Sequence, residues 1–491
     1  MDFLETRPGK ALSIRPLYSL HKSFSADTET PISLFLKLSG EHLLESVEKG
    51  EYTGRYSVIT KGALSRITLN GATLTITEID NGKEKVLLFD KQKDPFLGIK
   101  EYMKKLGVSE SPPQPFFTGG LLGFLGFEAV QYFEKVPVHQ DHTSDIPDAM
   151  MIVPENVIVY DSVTQTIHIT AWSRFNNKQR AHNNMKALYH TLKAASQNDP
   201  ELPSSSSHQD SAEFLVTRKQ FLERVRACLK HIHAGDVIQV VLSQPFRMKT
   251  SLSPLSLYRA LRKTNPSPYL FLNQFPHFSI IGSSPETMVQ IKGDELILRP
   301  IAGTRPRGKS IKEDKILAQE LLNDPKERAE HLMLLDLGRN DLGRVSKPGS
   351  VQVVEQMHIE NYSHVMHIVS TIKGVLEAPW DAFDVIRAVF PAGTLSGAPK
   401  IRAMEIIYNL EKRKRGIYGG MVFHLDFNGN MDSCITIRTM VASNGTVTFQ
   451  SGAGIVADSI PENEYQETLY KSQALTDAVC LASQTITEER L

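Results

Sequence analysis

Over the first 170 positions, short runs in which apolar and polar residues alternate are separated by turn residues. The alternation has the period of two that a half-buried strand requires. Ser65–Ile76, Val153–Tyr160 and Gln165–Thr170 are such runs, and Asn81-Gly82 supplies the tight turn expected between paired strands. From Ser196 to Ser211 the chain carries Asn-Asp-Pro, Leu-Pro and Ser204-Ser-Ser-Ser207, too little apolar surface to order itself, and it reads as a linker or mobile loop. Beyond it the period changes. Phe221, Leu222, Val225, Leu229 and Ile232 recur at helical spacing, Gly235 closes that helix, and the strand Val237–Phe246 follows at once. Near the C-terminus, Ile417–Leu425, Met431–Val441 and Thr446–Ser451 predict a meander with Asn428-Gly429 and Asn444-Gly445 at its turns. Antiparallel strands with intervening helices predict an α+β fold, largely antiparallel sheets packed as a β-sandwich-like core flanked by helices. The seam divides the chain into an N-terminal domain (1–195), a linker (196–211) and a C-terminal domain (212–491).

Composition narrows the function classes. A chain of 491 residues that is 41% hydrophobic and 22% charged has material for an ample core. Lys plus Arg equals Asp plus Glu at 55 each, which leaves no electrostatic footprint for nucleic acid or an anionic membrane. Cys228, Cys434 and Cys480 are scattered with no CxxC pair, so neither a disulfide framework nor a zinc ribbon is available. The opening Met1-Asp-Phe-Leu-Glu-Thr-Arg7 lacks the order of a signal peptide. The most lipid-like run, Gly119–Val130, is too short to span a bilayer and contains Glu128. A cytoplasmic protein is expected.

Candidate chemistry centres on two acidic motifs, Glu327-Arg-Ala-Glu330-His331 and Glu464-Tyr-Gln-Glu467. In each, i, i+3 spacing projects both carboxylates from one face of a helical turn. Gathered at one site, four carboxylates would repel unless a cation sat among them, and an all-oxygen site suits Mg²⁺ better than Zn²⁺. Each motif also has an ordinary explanation. Asp324-Pro325-Lys326-Glu327 is a helix start with Glu327 as capping-box partner, and Glu330 fits a solvated face. Glu464 and Glu467 fit an exposed face with a Glu467–Lys471 bond.

Gly303-Thr-Arg-Pro-Arg-Gly308-Lys309-Ser310 matches the Walker A pattern. The apolar run Leu296–Ile301 precedes it, the helical pattern Ile311–Leu322 follows, and Leu332–Asp336 imitates a Mg²⁺-holding strand. Pro306 removes one of the N–H groups that a phosphate cradle needs. The helix begun at Asp324 runs on into Leu335, leaving no place for that strand. Both points disfavour a P-loop nucleotide hydrolase.

Three further segments could line a site. Phe390–Lys400 is a small-residue loop entering the helical pattern Ile401–Leu410, and a helix N-terminus behind such a loop offers N–H groups to an anion. Ser451-Gly452-Ala453-Gly454-Ile455 permits close approach of backbone to a ligand. In the predicted strand Cys434–Met440, Arg438 shares a face with Cys434, Thr436 and Met440, while Ile435, Ile437 and Val441 point the other way. Arg438 there serves equally as a carboxylate clamp or as a structural ion pair.

Together these segments resemble the chorismate-utilising enzymes, most closely the large subunits of anthranilate synthase. The resemblance is carried by Gly282-Ser-Ser-Pro-Glu286, Arg299–Arg305, Asp336–Asp341, His364-Val-Met-His367, Phe390–Lys400, Gly416–Gly420 and Ser451–Val456. It extends more loosely to Leu43-Leu-Glu45-Ser46 and Gly119–Gly126. It implies that Glu330 and Glu467 ligate Mg²⁺, with Glu327 and Glu464 in support, and that the ion grips the ring carboxylate of chorismate. It further implies Glu286, His367 and Thr394 as catalytic residues, with Glu286 protonating the leaving C4 hydroxyl and His367 assisting loss of pyruvate. Substrate contacts would come from Gly303, Thr304, Tyr418, Arg438, Gly452, Ala453, Gly454 and Lys471.

Two positions then separate the relatives. Water-adding members carry a lysine where this chain has Gln239, and an uncharged amide cannot deprotonate water. Many aminodeoxychorismate synthases carry a nucleophilic lysine where this chain has Ala302, so ammonia attack and anthranilate are expected. Glu45, Ser46, Pro268, Tyr269 and Leu270 match the family's feedback site for L-tryptophan, although Asn265-Pro-Ser-Pro268 is also simply a turn. None of the cysteines lies on the Gly-x-Cys-x-Gly elbow of a glutaminase, which implies a separate glutamine amidotransferase partner and a heteromer. The alternatives are an aminodeoxychorismate synthase, a P-loop hydrolase and a catalytically silent tryptophan-binding regulator.

Overall fold

Among the described residues, every ladder between named strands is antiparallel. The structure, a computed structural model, describes residues 16–46, 54–71, 73–80, 83–88, 94–108, 114–139, 146–194, 212–361 and 365–488. The expected linker 196–211, the Asn81-Gly82 turn, the opening Met1–Arg7 segment and His364 lie outside them.

The strands follow two runs that share Tyr56–Asn70 paired with Ala149–Asp161. One run passes from Tyr56–Asn70 through His42–Glu45, Tyr269–Gln274, Ser279–Ser284, Thr439–Ser443 and Thr446–Ile455 to Gln239–Lys249. The other passes from Ala149–Asp161 through Gly120–Leu125, Met421–Asp426, Met431–Ile435, Thr287–Lys292 and Glu295–Leu298 to Val365–Val375. The expected α+β class is borne out. Strands from before position 195 are thus hydrogen-bonded to strands from after position 212 in both runs.

Two neighbouring segments change runs at the same level. Ser279–Ser284 pairs with Thr439–Ser443 in the first run, while Thr287–Lys292 pairs with Met431–Ile435 in the second. The links are Pro285-Glu286 and Thr436-Ile437-Arg438. Their backbones bond across the gap, Ile435 N–H to the Glu286 carbonyl at 3.0 Å and Ser283 N–H to the Arg438 carbonyl at 3.1 Å. This crossing is the seat of the site.

Helices cover the strands as their patterns require. Arg218–His233 starts from a Thr217/Gln220 capping box and buries Phe221, Val225 and Cys228. Each such side chain removed from water contributes about 1.5–3 kcal/mol. Gly235, at φ +79°, ends it with its N–H on the Ile232 carbonyl. Pro461–Glu488 packs against Thr446–Ile455 and Pro254–Thr264, and Pro325–Gly343 against Ile301–Pro306 and Val365–Val375.

Several expected elements are corrected. Ser65–Ile76 is the end of one strand and the start of another, turning at Gly71 (φ +53°) so that Asn70 faces Thr73. Asn444 and Gly445 are both left-handed and close Ser443 onto Thr446, as the two-residue hairpin requires. At Asn428-Gly429 only the glycine is left-handed; the Asp426 carboxylate caps the N–H groups of Asn428 and Asn430 and builds a longer loop. Met431–Val441 is not one strand, because it breaks at the crossing.

Candidate active site

Glu286 emerges from the crossing into a buried position and accepts a 2.9 Å hydrogen bond from the Thr394 hydroxyl. Thr394 lies on the single helical turn Gly393–Ser396, the small-residue loop singled out in the sequence. Burial pushes the Glu286 carboxyl up to about 7, offset in part by the Thr394 bond and by the positive charges of Lys471 and Arg438. A cavity of about 40 Å³ borders Glu286 and Thr394, room for one water-sized molecule. Arg438 is not on a strand. It sits in the crossing at φ +49°, so strand alternation does not aim its side chain, which reaches the Asn265 amide oxygen at 3.5 Å. It still falls within electrostatic reach of both Glu286 and His367.

His367 stands on Val365–Val375, which pairs with Ile301–Pro306 so that His367 faces Thr304. Its Nδ1 lies 3.1 Å from the Gly303 carbonyl and 3.0 Å from the Thr304 hydroxyl. Burial pushes the imidazole down to about 4, so the ring is neutral at physiological pH. Placing the proton on Nδ1, donated to the Gly303 carbonyl, puts the ring's lone pair on Nε2. Gly303 takes φ +73°, and a side chain there would meet Glu327 at 3.1 Å.

The other wall is the Thr446–Ile455 strand. A β-carbon on Gly452 would sit 2.6 Å from the Tyr418 hydroxyl, and one on Gly454 2.6 Å from the Gln239 amide nitrogen and 3.7 Å from Glu330. The two glycines therefore let Tyr418, Gln239 and Glu330 close over bare backbone, with Ala453 between them buried. Lys471 reaches the same strand, its ammonium 3.1 Å from the Gly452 carbonyl and 2.6 Å from Glu467.

Glu330 and Glu467, 137 residues apart in the chain, are thus both brought beside one strand and within electrostatic reach of each other. Glu330 accepts a 2.9 Å hydrogen bond from Gln239 and is raised above the usual carboxylate range, first by burial and further by the charges of Glu327 and Glu467. Glu464 is raised by burial and by Glu467. Glu327 does not complete a capping box. Asp324 caps the helix alone, and the Glu327 side chain pairs with Arg305 at 3.1 Å. The donor set suits a hard divalent cation, being all oxygen and made costly by mutual repulsion that a cation would relieve. Among the described residues no three acidic, His or Cys side chains converge closely enough to hold an ion, and the Lys471 ammonium is the cation beside Glu467.

The phosphate-loop match is removed by its own helix. Gly308 N–H is bonded to Asp314 at 2.7 Å and Lys309 N–H to Glu313 at 2.7 Å, so its donors already have carboxylate partners. Leu332–Asp336 is helical.

The remaining predicted residues gather around the Tyr269–Gln274 strand and its partner His42–Glu45. Leu270 is in register with Glu45, whose buried carboxylate takes the Tyr258 hydroxyl and lies 3.4 Å from Arg262. Pro268 is buried and Tyr269 bonds Thr287 and Asp432, each at 2.9 Å. The hydroxyls of Ser46 and Ser267 are buried with no hydrogen-bond partner among the described residues. The sequence reading missed the Gln239–Glu330 bond and the part played by Asn265. A glutamine inside the apolar run Val237–Phe246 was the only local signal for the first.

This arrangement belongs to a known class. Residues 58–477 match the family model of the chorismate binding enzymes, and the chain belongs to that family. Within it, the chain is similar to anthranilate synthase component 1 from Acetivibrio thermocellus, 42% identical over 466 residues covering 92% of this chain and 93% of that one. The protein of the same description from Acinetobacter calcoaceticus is 44% identical, covering 93% and 94%. The crystal structure of anthranilate synthase component I from Streptococcus pneumoniae superposes with a TM-score of 0.77 at 35% identity, covering 92% of this chain and 99% of the other. The menaquinone-specific isochorismate synthase MenF of Escherichia coli shares the fold, with a TM-score of 0.72 at 16% identity over 96% of each chain. No helix among the described residues is long and apolar enough to cross a membrane.

Proposed function

We propose that this chain is the chorismate-converting component of an anthranilate synthase, forming anthranilate and pyruvate from chorismate and ammonia. The observation that carries the reading is a buried carboxyl held near neutrality, Glu286, beside Thr394 and within reach of Arg438. In the same site stands a histidine that burial keeps neutral. Ammonia adds to the ring at C2 and the C4 hydroxyl departs as water, carrying the proton of Glu286. The ammonium formed at C2 gives up a proton, and His367, neutral with its lone pair on Nε2, then takes the C2 proton as the C3–O bond breaks and the ring becomes aromatic. The enolate released takes up a proton at its methylene carbon and becomes pyruvate. Arg438 and the N–H groups along Gly452–Gly454 receive the substrate's carboxylates, and Tyr418, Thr304 and Lys471 close the pocket. Mg²⁺ would be held by Glu330 and Glu467, with Glu327 and Glu464 supporting them, and when bound would orient and neutralise the ring carboxylate.

A separate glutamine amidotransferase supplies the ammonia in this reading. L-tryptophan acts as feedback inhibitor between Glu45-Ser46 and Pro268-Tyr269-Leu270. Support comes from the two buried hydroxyls of Ser46 and Ser267, which offer hydrogen bonds to a polar ligand beside an apolar wall. Residues 1–195 then serve mainly the effector and 212–491 the chemistry. Ala302, with no amine to form a covalent intermediate, favours anthranilate over the para-substituted product. The test is direct: the chain with chorismate, Mg²⁺ and concentrated ammonium at alkaline pH should yield fluorescent anthranilate. A para-substituted product, or none, defeats the assignment.

A further inference from the structure

Beneath the site lies a charged cluster to which the chemistry above assigns no role. Arg415 is buried and its guanidinium makes four hydrogen bonds. It donates to the Leu395 carbonyl at 2.6 Å and the Val241 carbonyl at 2.7 Å. It also grips the Glu411 carboxylate through two nitrogens at 2.6 and 2.9 Å. Its guanidinium carbon lies 4.6 Å from the Phe127 ring centre and 5.7 Å from that of Tyr418. Glu411 in turn accepts the backbone N–H and the hydroxyl of Ser243, each at 2.8 Å. Glu128 accepts the N–H groups of Arg415 and Gly416 at 2.7 and 3.0 Å, and so fixes the turn that carries the arginine.

The partners are informative by position. Leu395 follows Thr394, which bonds Glu286. Val241 lies two residues from Gln239 on the strand paired with Gly452–Gly454, with Val241 facing Gly454. Tyr418 is three residues along from Arg415 itself. The segments tied together are those that present the acid's hydrogen-bond donor, the bare glycine strand and the site's tyrosine.

We propose that Arg415 is a positioning residue. Its guanidinium holds the Thr394 turn, Tyr418 and the Gln239 strand in one arrangement, and Glu128 locks the backbone that bears it. This rests on the reading of Glu286 as the acid. A lysine keeps the charge that Glu411 needs but cannot span two carbonyls and a bidentate carboxylate at once. In Arg415→Lys the Thr394 turn loosens and Glu286 loses a hydrogen bond that favours its ionised form, while Arg438, Lys471 and Tyr418, the other charged or titratable groups facing it, remain.

The experiment is the ammonium-driven reaction of the whole chain across pH, with melting followed in parallel. A folded Arg415→Lys variant should lose kcat by about 10- to 100-fold, with KM for chorismate within about threefold. The falling limb of its pH profile should move upward. A folded variant with wild-type kcat and an unmoved limb overturns the proposal. Should the lysine variant not fold, Glu128→Gln is read by the same two quantities, because its amide nitrogen faces one of the two N–H groups. Wild-type behaviour in Glu128→Gln, or its failure to fold, assigns the cluster to stability alone and equally overturns the proposal. If the wild type has no limb that Glu286→Gln removes, it is the reading of Glu286 that fails, and the kcat loss still decides Arg415.

Discussion

Replacing Glu286 with glutamine keeps the shape of the side chain and removes its proton. Held at about 7, the carboxyl is half protonated at neutral pH, whereas a glutamate at 4.5 would be protonated in roughly 0.3% of molecules. Burial therefore enriches the acid form about 150-fold, equivalent to about 3 kcal/mol. A positioned general acid contributes about 10²–10⁴-fold to rate, so Glu286→Gln should lower kcat/KM for chorismate within that range. The assay is continuous anthranilate fluorescence at fixed Mg²⁺, with rates divided by the concentration of unprotonated ammonia. Wild type should be level below about pH 7 and fall about tenfold per unit above it, while the glutamine variant should be level throughout.

The same group must act on stability. Its folded value is raised, so its contribution is fully present below about 4.5 and is lost as pH rises through about 7. Wild type should thus weaken between pH 5 and 8 by up to about 3 kcal/mol relative to the glutamine variant, which buries no charge. A glutamine variant within about threefold of wild-type activity, or one that retains the falling limb, refutes the assignment of the acid.

Gly454→Ala places a methyl 2.6 Å from the Gln239 amide nitrogen. Gln239 must swing off Glu330, and the Mg²⁺ concentration for half-maximal rate should rise about tenfold with melting unchanged, checked by metal titration. Glu467→Ala should abolish turnover, as should removal of Mg²⁺ with EDTA, while equilibrium dialysis still finds bound tryptophan; retained activity would take Glu467 out of the metal site. Lys309→Ala should leave anthranilate formation at wild-type rate and ATP unbound, because the neighbouring N–H groups already have carboxylate partners.

What was legible in the sequence was whatever local chemistry decides. The caps, the Gly235 stop and the Asn444-Gly445 hairpin follow from the backbone preferences of a few neighbouring residues. That Glu330 and Glu467 come within electrostatic reach of each other was visible only as two helical i, i+3 pairs, since spacing says which face a carboxylate takes but not which distant helix it approaches. Arg438 shows the limit. Alternation from Cys434 to Met440 holds only while the strand continues, and here the chain leaves one run for the other at Thr436–Arg438. The signal for that break lies in the pairing partner, Ser284-Pro285-Glu286, 150 residues earlier. Arg415 was hidden for a similar reason, because nothing around it announces that Glu128, Val241 and Leu395 will surround it.

The double change of partner at Glu286 and Arg438 constrains how this protein can vary. One extra residue in either link would rotate the strand beyond it by half a turn of the pleat, sending its inward side chains to the opposite surface. A matching insertion in the other link would not undo that damage, since each strand beyond the crossing is also paired on its far side. Apart from Glu286 and Arg438, which the chemistry fixes, these two short links are therefore able to change in residue type far more readily than in length, and alterations of substrate preference should arise there by replacement, not by insertion or deletion.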